Sequence, residues 1–282
     1  MISCDCVDLN VDELPTLKDA TLVLALGGWM DGGAVSTGTV RRLTDLLAAR
    51  SFATIAPGAY YIYSFPGSME VTALFRPHIQ IEDGLVISHE MPENRFFVHE
   101  AANLVFFIGK EPNLNWPVFG DCILELIRKI NVRRILFIGS FGGPIPHTRE
   151  PRLYVTCSSP ELLPEMERFG LQRRSTYEGP GSFATCLLTR CPGVGVEMAS
   201  IVAEIPGYLD GRNPMSIEAV TRRLAKILQL PLDLQALRAE STEWEMEVSS
   251  FLSGNKKLAK TIRELEEAYD NDLLQQDESE PA

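Results

Sequence analysis

The sequence has 282 residues, of which 45% are hydrophobic, and its mean hydropathy is +0.00. A chain of this size can bury a large core, and it suits one α/β domain with or without an appendage. Acidic residues outnumber basic ones by 38 to 26, and the segment from Glu240 to Ala282 holds 12 of the acids and 4 of the bases. Because such an acidic segment repels nucleic acids and anionic lipids, we expect neither as a partner.

The sequence also argues against a membrane span and against a metal site. It contains no run of about 18 apolar residues, and the acidic start "MISCDCVDLNVDELP" does not resemble a signal peptide. The six cysteines are scattered and lack the C-x-x-C pairing of zinc and redox motifs: Cys4, Cys6, Cys122, Cys157, Cys186 and Cys191. We therefore expect free thiols in a reducing cytoplasm, and no cofactor.

Apolar runs that do not alternate with polar residues predict buried strands, and helical patterns lie between these runs. The strands are predicted at 21–26, 103–109, 134–139 and 199–204, and the helices at 32–50, 119–130 and 215–230. This alternation predicts an α/β fold with a mostly parallel sheet and crossover helices. Residues 60–91 are aromatic and β-branched with turn signals, which predicts strands and loops inserted early in the domain.

The C-terminal part has a different character. We expect an α/β domain over residues 1–230, a helical extension over 231–274, and a disordered acidic tail over 275–282. In the extension, Leu258, Ile262, Leu265 and Tyr269 form one helical stripe, which should pack on a neighbouring surface. Two surfaces could bury this stripe, and the sequence leaves both open: the chain's own α/β body and a second subunit.

The stretch "LGGWMDGGAV" at 26–35 follows a strand and opens a helix. Phosphate-binding loops occupy such positions, but no G-x-G-x-x-G register fits, and no lysine follows. We favour a structural role in which Asp31 caps the following helix and the glycines form the turn. The alternative is that Asp31 binds a polar ligand other than phosphate.

A second candidate group follows the strand at 134–139. His147 could act as a general base and Arg149 could hold a carboxylate or phosphate, with Thr148 between them. The sequence lacks a nucleophile elbow and the H-E-x-x-H motif, so a role in holding the loop or an interface is favoured over catalysis. Two further segments complete the candidate pocket: Glu111, Asn113 and Trp116 after the strand at 103–109, and Tyr177.

Six segments in order carry a family resemblance: "GGWMDGGAV" (27–35), "FRP" (75–77), "GKEPNLNWPVF" (109–119), "PHTRE" (146–150), "YEGPGSF" (177–183) and "AEIPGYLDGRNPMSIEAV" (203–220). The chain resembles the PAC2 family, the proteasome assembly chaperone 2 family, and most of all its bacterial members. The resemblance implies a three-layer α/β/α domain, akin to nucleoside phosphorylases and peptidyl hydrolases, that self-associates. Some archaeal relatives bind the proteasome through a C-terminal hydrophobic-Tyr-any tripeptide. This chain ends in Glu280-Pro281-Ala282, which argues against direct docking by its tail.

These observations leave two hypotheses from different classes. The first is a non-catalytic, self-associating PAC2-type protein that acts through protein contacts, as an assembly chaperone does, with a protein partner still to be identified. The second is a small-molecule hydrolase or transferase, or a ligand sensor, with a pocket at the carboxyl ends of the parallel strands. A nucleophile paired with a base, on a shared pocket, would favour the second.

Overall fold

The computed structural model describes residues 6–171 and 173–279, with side chains up to residue 275. Its main sheet has nine strands in the order β1-β3-β6-β7-β2-β8-β11-β9-β10, and a separate hairpin has β4 and β5. The strands are β1 (Leu9–Val11), β2 (Ala20–Gly27), β3 (Arg50–Ile55), β4 (His78–Glu82), β5 (Leu85–Glu90), β6 (Arg95–His99), β7 (Leu104–Lys110), β8 (Val132–Gly143), β9 (Arg152–Cys157), β10 (Arg173–Arg174) and β11 (Glu197–Pro206).

The four central strands, β7, β2, β8 and β11, are parallel, and each of the four overlaps one of the predicted strands. The strands outside them reverse direction, since β6 is antiparallel to β7 and β9 is antiparallel to β11. The mostly parallel sheet expected from the sequence is therefore confirmed.

Helices cover both faces of this sheet. They are α1 (Val35–Leu46), α2 (Met69–Ala73), α3 (Trp116–Lys129), α4 (Leu163–Arg168), α5 (Phe183–Arg190), α6 (Pro214–Ile227), α7 (Gln235–Ser253) and α8 (Lys256–Ser279). Helices α3 and α5 pack on one face, where the rings of Phe119 and Phe183 meet edge to face at 5.2 Å. Helices α1, α4 and α6 pack on the other face through residues such as Val40 and Leu224. The result is the expected three-layer α/β/α architecture.

Helix α1 is shorter than the pattern at 32–50 predicts. It ends at Leu46, and Ala48 takes the left-handed backbone conformation with φ of 50°. That conformation stops the helix and turns the chain into β3, which begins at Arg50. The apolar residues Leu47 and Ala49 misled the prediction, because they pack against the core from the turn and not from a helix.

The insertion at 60–91 forms α2 and the β4–β5 hairpin, which pairs with no other strand in the described part of the chain. Every residue of β4 and all but one residue of β5 are exposed. Two-stranded ribbons are marginally stable in water without packing on a neighbour. Because nearly all of its residues are exposed, the apolar side chains of this hairpin face solvent.

Helices α7 and α8 follow the α/β body. The predicted domain boundary at residue 230 falls between α6 and α7, and it stays a prediction. The stripe on α8 lies against its own chain, with Ile262 and Tyr269 buried and Leu258 and Leu265 half-buried. Helix α8 runs to Ser279, so it includes the first residues of the segment expected to be disordered. Residues 280–282 of that segment lie outside the described residues.

The expectation that all cysteines are free thiols is wrong for one pair. Cys6, before β1, and Cys122, in α3, are joined in a disulfide with their Cα atoms 5.4 Å apart. Cys157, Cys186 and Cys191 are free, and Cys4 lies outside the described residues. The two paired cysteines are 116 residues apart in sequence, so only the packing of the N-terminal segment against α3 brings them together.

We expect that Cys6→Ser lowers the free energy of unfolding of the oxidised protein by about 2–4 kcal/mol, because the disulfide closes a long loop in the unfolded chain. Chemical denaturation with and without a thiol reductant measures this loss. The reductant should destabilise the natural protein and the control variant Cys186→Ser equally, and should leave Cys6→Ser unchanged. A natural protein that is indifferent to reductant would show that the bond does not stabilise the fold.

Candidate functional site

The turn after β2 is built around Asp31. Its Oδ1 accepts a hydrogen bond from the Thr37 backbone N–H at 3.0 Å, and its Oδ2 accepts from the Thr37 hydroxyl at 2.8 Å. Thr37 lies in the first turn of α1, so Asp31 supplies that turn with an acceptor from outside the helix, whereas the residue at the N-cap position itself is Ala34. The backbone of Asp31 also bridges to Ser140 of β8. Burial raises the pKa of Asp31, and the hydrogen bonds from Thr37 and Ser36 oppose this shift.

Asp31 also lines a large cleft, which has a volume of about 990 Å³. Its floor is the part of the sheet that α1 leaves uncovered, at Phe97, Ile108 and Gly109, and α1 and the end of β5 form its sides. The charged and polar residues around it are Thr37, Arg41, Thr44, Asp45, His89, Glu90, Glu93, Arg95 and Lys110. Within the described part of the chain, no group of three His, Cys, Asp or Glu side chains is placed to hold a metal ion.

The sequence predicts one loop after β7 that contains Glu111, Asn113 and Trp116. Glu111 and Asn113 lie in that loop, whereas Trp116 is the first residue of α3. Glu111 accepts hydrogen bonds from the backbone N–H groups of Trp29 at 3.2 Å and Phe183 at 2.7 Å. Asn113 accepts from Ile62 N–H, and the Trp116 indole N–H donates to the Pro112 carbonyl. These bonds tie together the turns after β2 and β7 and the start of α5.

His147 is 2% exposed and is enclosed by helix α7 and the turn after β11. Its backbone N–H donates to the Tyr208 hydroxyl, which also lies 2.8 Å from the ring Nδ1. The ring Nε2 lies 3.0 Å from the Ser249 hydroxyl. Burial lowers the pKa of His147, and the nearby Glu266 carboxylate opposes this shift.

Thr148 and Arg149 bind helix α8. The Thr148 hydroxyl donates to Glu266 Oε1 at 2.5 Å, and Arg149 makes two parallel hydrogen bonds to Asp270 at 2.9 and 2.8 Å. The pKa of Asp270 is lowered by its hydrogen bond with Arg149. The loop after β8 therefore holds the C-terminal helices of its own chain, which is the structural role favoured by the sequence.

The eight candidate residues do not share one pocket. Asp31 lies in the large cleft, Glu111, Asn113 and Trp116 stabilise a junction of loops, and the three residues at 147–149 contact α7 and α8. Tyr177 is 70% exposed, and its hydroxyl donates to the nearby Pro180 carbonyl. The loops after β7 and β8 do reach the same sheet edge, because both strands are parallel to β2.

The sequence reasoning did not identify the partners of the His147 loop, which are Tyr208, Ser249, Glu266 and Asp270. Ser249 and Asp270 lie more than 100 residues beyond the loop in sequence, and spacing carries no information over that distance. Glu266 and Asp270 lie beside the α8 stripe in the sequence, and acidic residues on that side of an amphipathic helix usually face solvent. An isolated basic residue at 149 was the one available signal that an acid must lie nearby.

The architecture is that of a three-layer α/β/α protein whose carboxyl-edge loops are closed by a C-terminal helical pair. The chain belongs to the PAC2 family, whose family model matches residues 25–252. No curated protein matches the chain significantly.

Three solved structures illustrate the similarity. The Mycobacterium tuberculosis proteasome-assembly chaperone homologue is 28% identical, with a TM-score of 0.73 over 86% of this chain and 99% of that one. A Mycobacterium tuberculosis protein of unknown function is 22% identical, with a TM-score of 0.82 over 96% and 91% of the two chains. The archaeal proteasome activator of Pyrococcus furiosus is 19% identical, with a TM-score of 0.62 over 86% and 97%. The last two show the fold alone.

We expect that Asp31→Ala lowers the free energy of unfolding by about 1 kcal/mol, because the first turn of α1 loses its acceptor. Asp31→Asn keeps an oxygen for the Thr37 N–H and should retain most of the stability. Urea denaturation at neutral pH compares the two variants with the natural protein. Equal stability of all three proteins would remove the capping role and leave ligand binding as the reason for Asp31.

The buried His147 should make the fold sensitive to acid. Its folded-state pKa is below the ordinary value of 6.5, so the unfolded chain binds a proton more tightly. The contribution of neutral His147 to the free energy of unfolding is therefore fully present above the unfolded-state pKa of 6.5. It is lost as the pH falls from there through the lower folded-state pKa. We expect a smaller loss between roughly pH 7.5 and roughly pH 5 in His147→Gln, measured by thermal melting. The exposed His89→Gln should behave like the natural protein, and a matching loss in all three proteins would contradict the assignment.

Proposed function

We propose that this protein is a non-catalytic, self-associating protein-interaction module with an assembly-chaperone-like role. The observation that carries the proposal is the exposed apolar surface of α2 and the β4–β5 hairpin. Its exposed large side chains are Phe65, Met69, Val71, Leu74, Ile79, Ile81, Leu85, Val86, Ile87 and Met91. Large contiguous apolar patches mark protein-interaction sites, whereas apolar side chains scattered singly over a surface are normal.

The hairpin surface is suited to a protein and not to a small molecule. It is a two-stranded ribbon that pairs with no other described strand, so each edge offers unpaired backbone N–H and C=O groups. A second chain can cover the apolar face and pair with an edge at the same time. The aromatic rings of Phe65 and Phe75 stack at 5.0 Å, which gives the base of the insertion a fixed shape.

The comparisons support the class of partner. One structural relative with 28% identity is described as a proteasome-assembly chaperone homologue, so a protein assembly is the kind of target we propose for this chain. The closed His147 loop supports the non-catalytic part of the proposal, since its polar groups are already bonded to the chain's own helices.

The test of self-association is the solution mass of hairpin variants, measured by light scattering. Ile81→Asp together with Val86→Asp should reduce the assembly size, because both side chains are about 60% exposed and charges there prevent burial. Phe251→Asp, on α7 and 85% exposed, is the matched control and should leave the mass unchanged. A chain ending at Ser253 tests the α8 stripe separately. A natural protein that is monomeric at all concentrations would refute self-association.

A second candidate function rests on one observation, the contact between the Ser249 hydroxyl and His147 Nε2 at 3.0 Å. A serine beside a histidine is the core of a hydrolase or transferase site, which would open only when α7 moves away. A fluorophosphonate probe that labels the natural protein and not Ser249→Ala would support that function. Absence of labelling, with the hairpin result above, would favour the interaction module.

A further inference from the structure

A second, smaller pocket of about 100 Å³ lies away from the cleft and away from the His147 ring. It is formed by the residues before β9, the turn after α4, the start of β10 and the middle of α6. Its lining consists of Glu150, Pro151, Leu153, Gly170, Arg173, Ala219, Arg222 and Arg223. Three arginines face one glutamate there, so the lining carries a formal charge of +2, in a chain whose net charge is −12.

The three arginines differ in whether a nearby carboxylate neutralises their charge. Arg222 is paired with Glu218 and Glu150, and Arg173 is paired with Asp272 of α8. Arg223 donates one hydrogen bond to the Phe169 carbonyl at 2.6 Å. Among the residues that the structure describes, no carboxylate forms an ion pair with it. Arg223 therefore keeps donors and a full positive charge for another anion.

The position of Arg223 is fixed by the backbone at Gly170. This glycine has a φ of +78°, and a Cβ there would overlap the Arg223 guanidinium group. The guanidinium thus packs directly on the turn after α4. The side chains of Pro151, Leu153 and Ala219 complete the lining.

We propose that this pocket binds a small tetrahedral oxyanion, which is phosphate, sulfate or the terminal phosphoryl group of a larger molecule. The planar forks of arginine match the oxygens of such an anion and can donate two bonds at once. The volume is well below the roughly 300 Å³ of a pocket for a drug-sized ligand, so only the anionic group enters. This proposal is independent of the proposed function, because it uses none of the hairpin residues.

The test is titration calorimetry of the full-length protein with inorganic phosphate, with ionic strength held constant by chloride. The natural protein should bind one phosphate, and Arg223→Gln should weaken binding by at least tenfold. Arg223→Lys keeps the charge but not the fork, so it should weaken binding less. Arg174→Gln is the matched control, since Arg174 is an exposed neighbour that pairs with Glu167 outside the pocket. Circular dichroism checks that each variant is folded.

Further titrations distinguish the source of the anion. Sulfate should compete with phosphate, and acetate should compete weakly because it carries a single negative charge and only two oxygens for the arginine donors. O-phosphoserine binding more tightly than phosphate would favour a phosphoryl group on a larger molecule, while weaker binding would favour the free ion. The proposal is overturned if phosphate does not bind the natural protein, or if Arg223→Gln and Arg174→Gln bind it with equal affinity.

Discussion

The fold depends on a central group of four parallel strands that is apolar on both faces. Residues such as Leu22 and Leu24 point to one side and Val23 and Ala25 to the other, and all four are fully buried. Such strands need helices on both faces, and parallel neighbours need crossover connections. The loops after β2, β7, β8 and β11 consequently reach the same edge of the sheet. This one constraint places four polar residues near that edge: Asp31, Glu111, His147 and Tyr208.

The polar groups at that edge are largely occupied by the protein itself. Asp31 bonds Thr37, Glu111 bonds two backbone N–H groups, and Arg149 bonds Asp270. In many α/β proteins the same edge is where a ligand binds. Here the residues that looked reactive instead hold loops and helices in place. Besides the large cleft beside Asp31, the apolar hairpin and the arginine pocket remain available, so contact with a protein and contact with an anion would be spatially separate.

The parts of the fold that the sequence revealed are those with a local cause. Uninterrupted apolar runs marked the central strands, and the position of Asp31 before a helix indicated its capping role. The remaining features depend on contacts between distant segments. Cys6 and Cys122 meet only because the N-terminal segment packs on α3, and His147 meets Ser249 only because α7 folds back over the sheet edge. The exposure of the hairpin could not be read either, because β-branched residues in a strand usually face a core.

Helix α8 is attached differently from the rest of the molecule. Among its described side chains, Ile262 and Tyr269 are the buried ones, while Glu266, Asp270 and Asp272 bind Thr148, Arg149 and Arg152 of the body. Charge contacts near the surface are screened by salt, whereas burial of apolar side chains is not. We therefore expect the helix and the His147 loop to form a unit of lower local stability that opens without unfolding the sheet. In a hydrogen-exchange experiment, the amide protons of α8 and of the His147 loop would exchange together, and they would exchange faster at high ionic strength. The amide protons of β2 and β8 would stay protected.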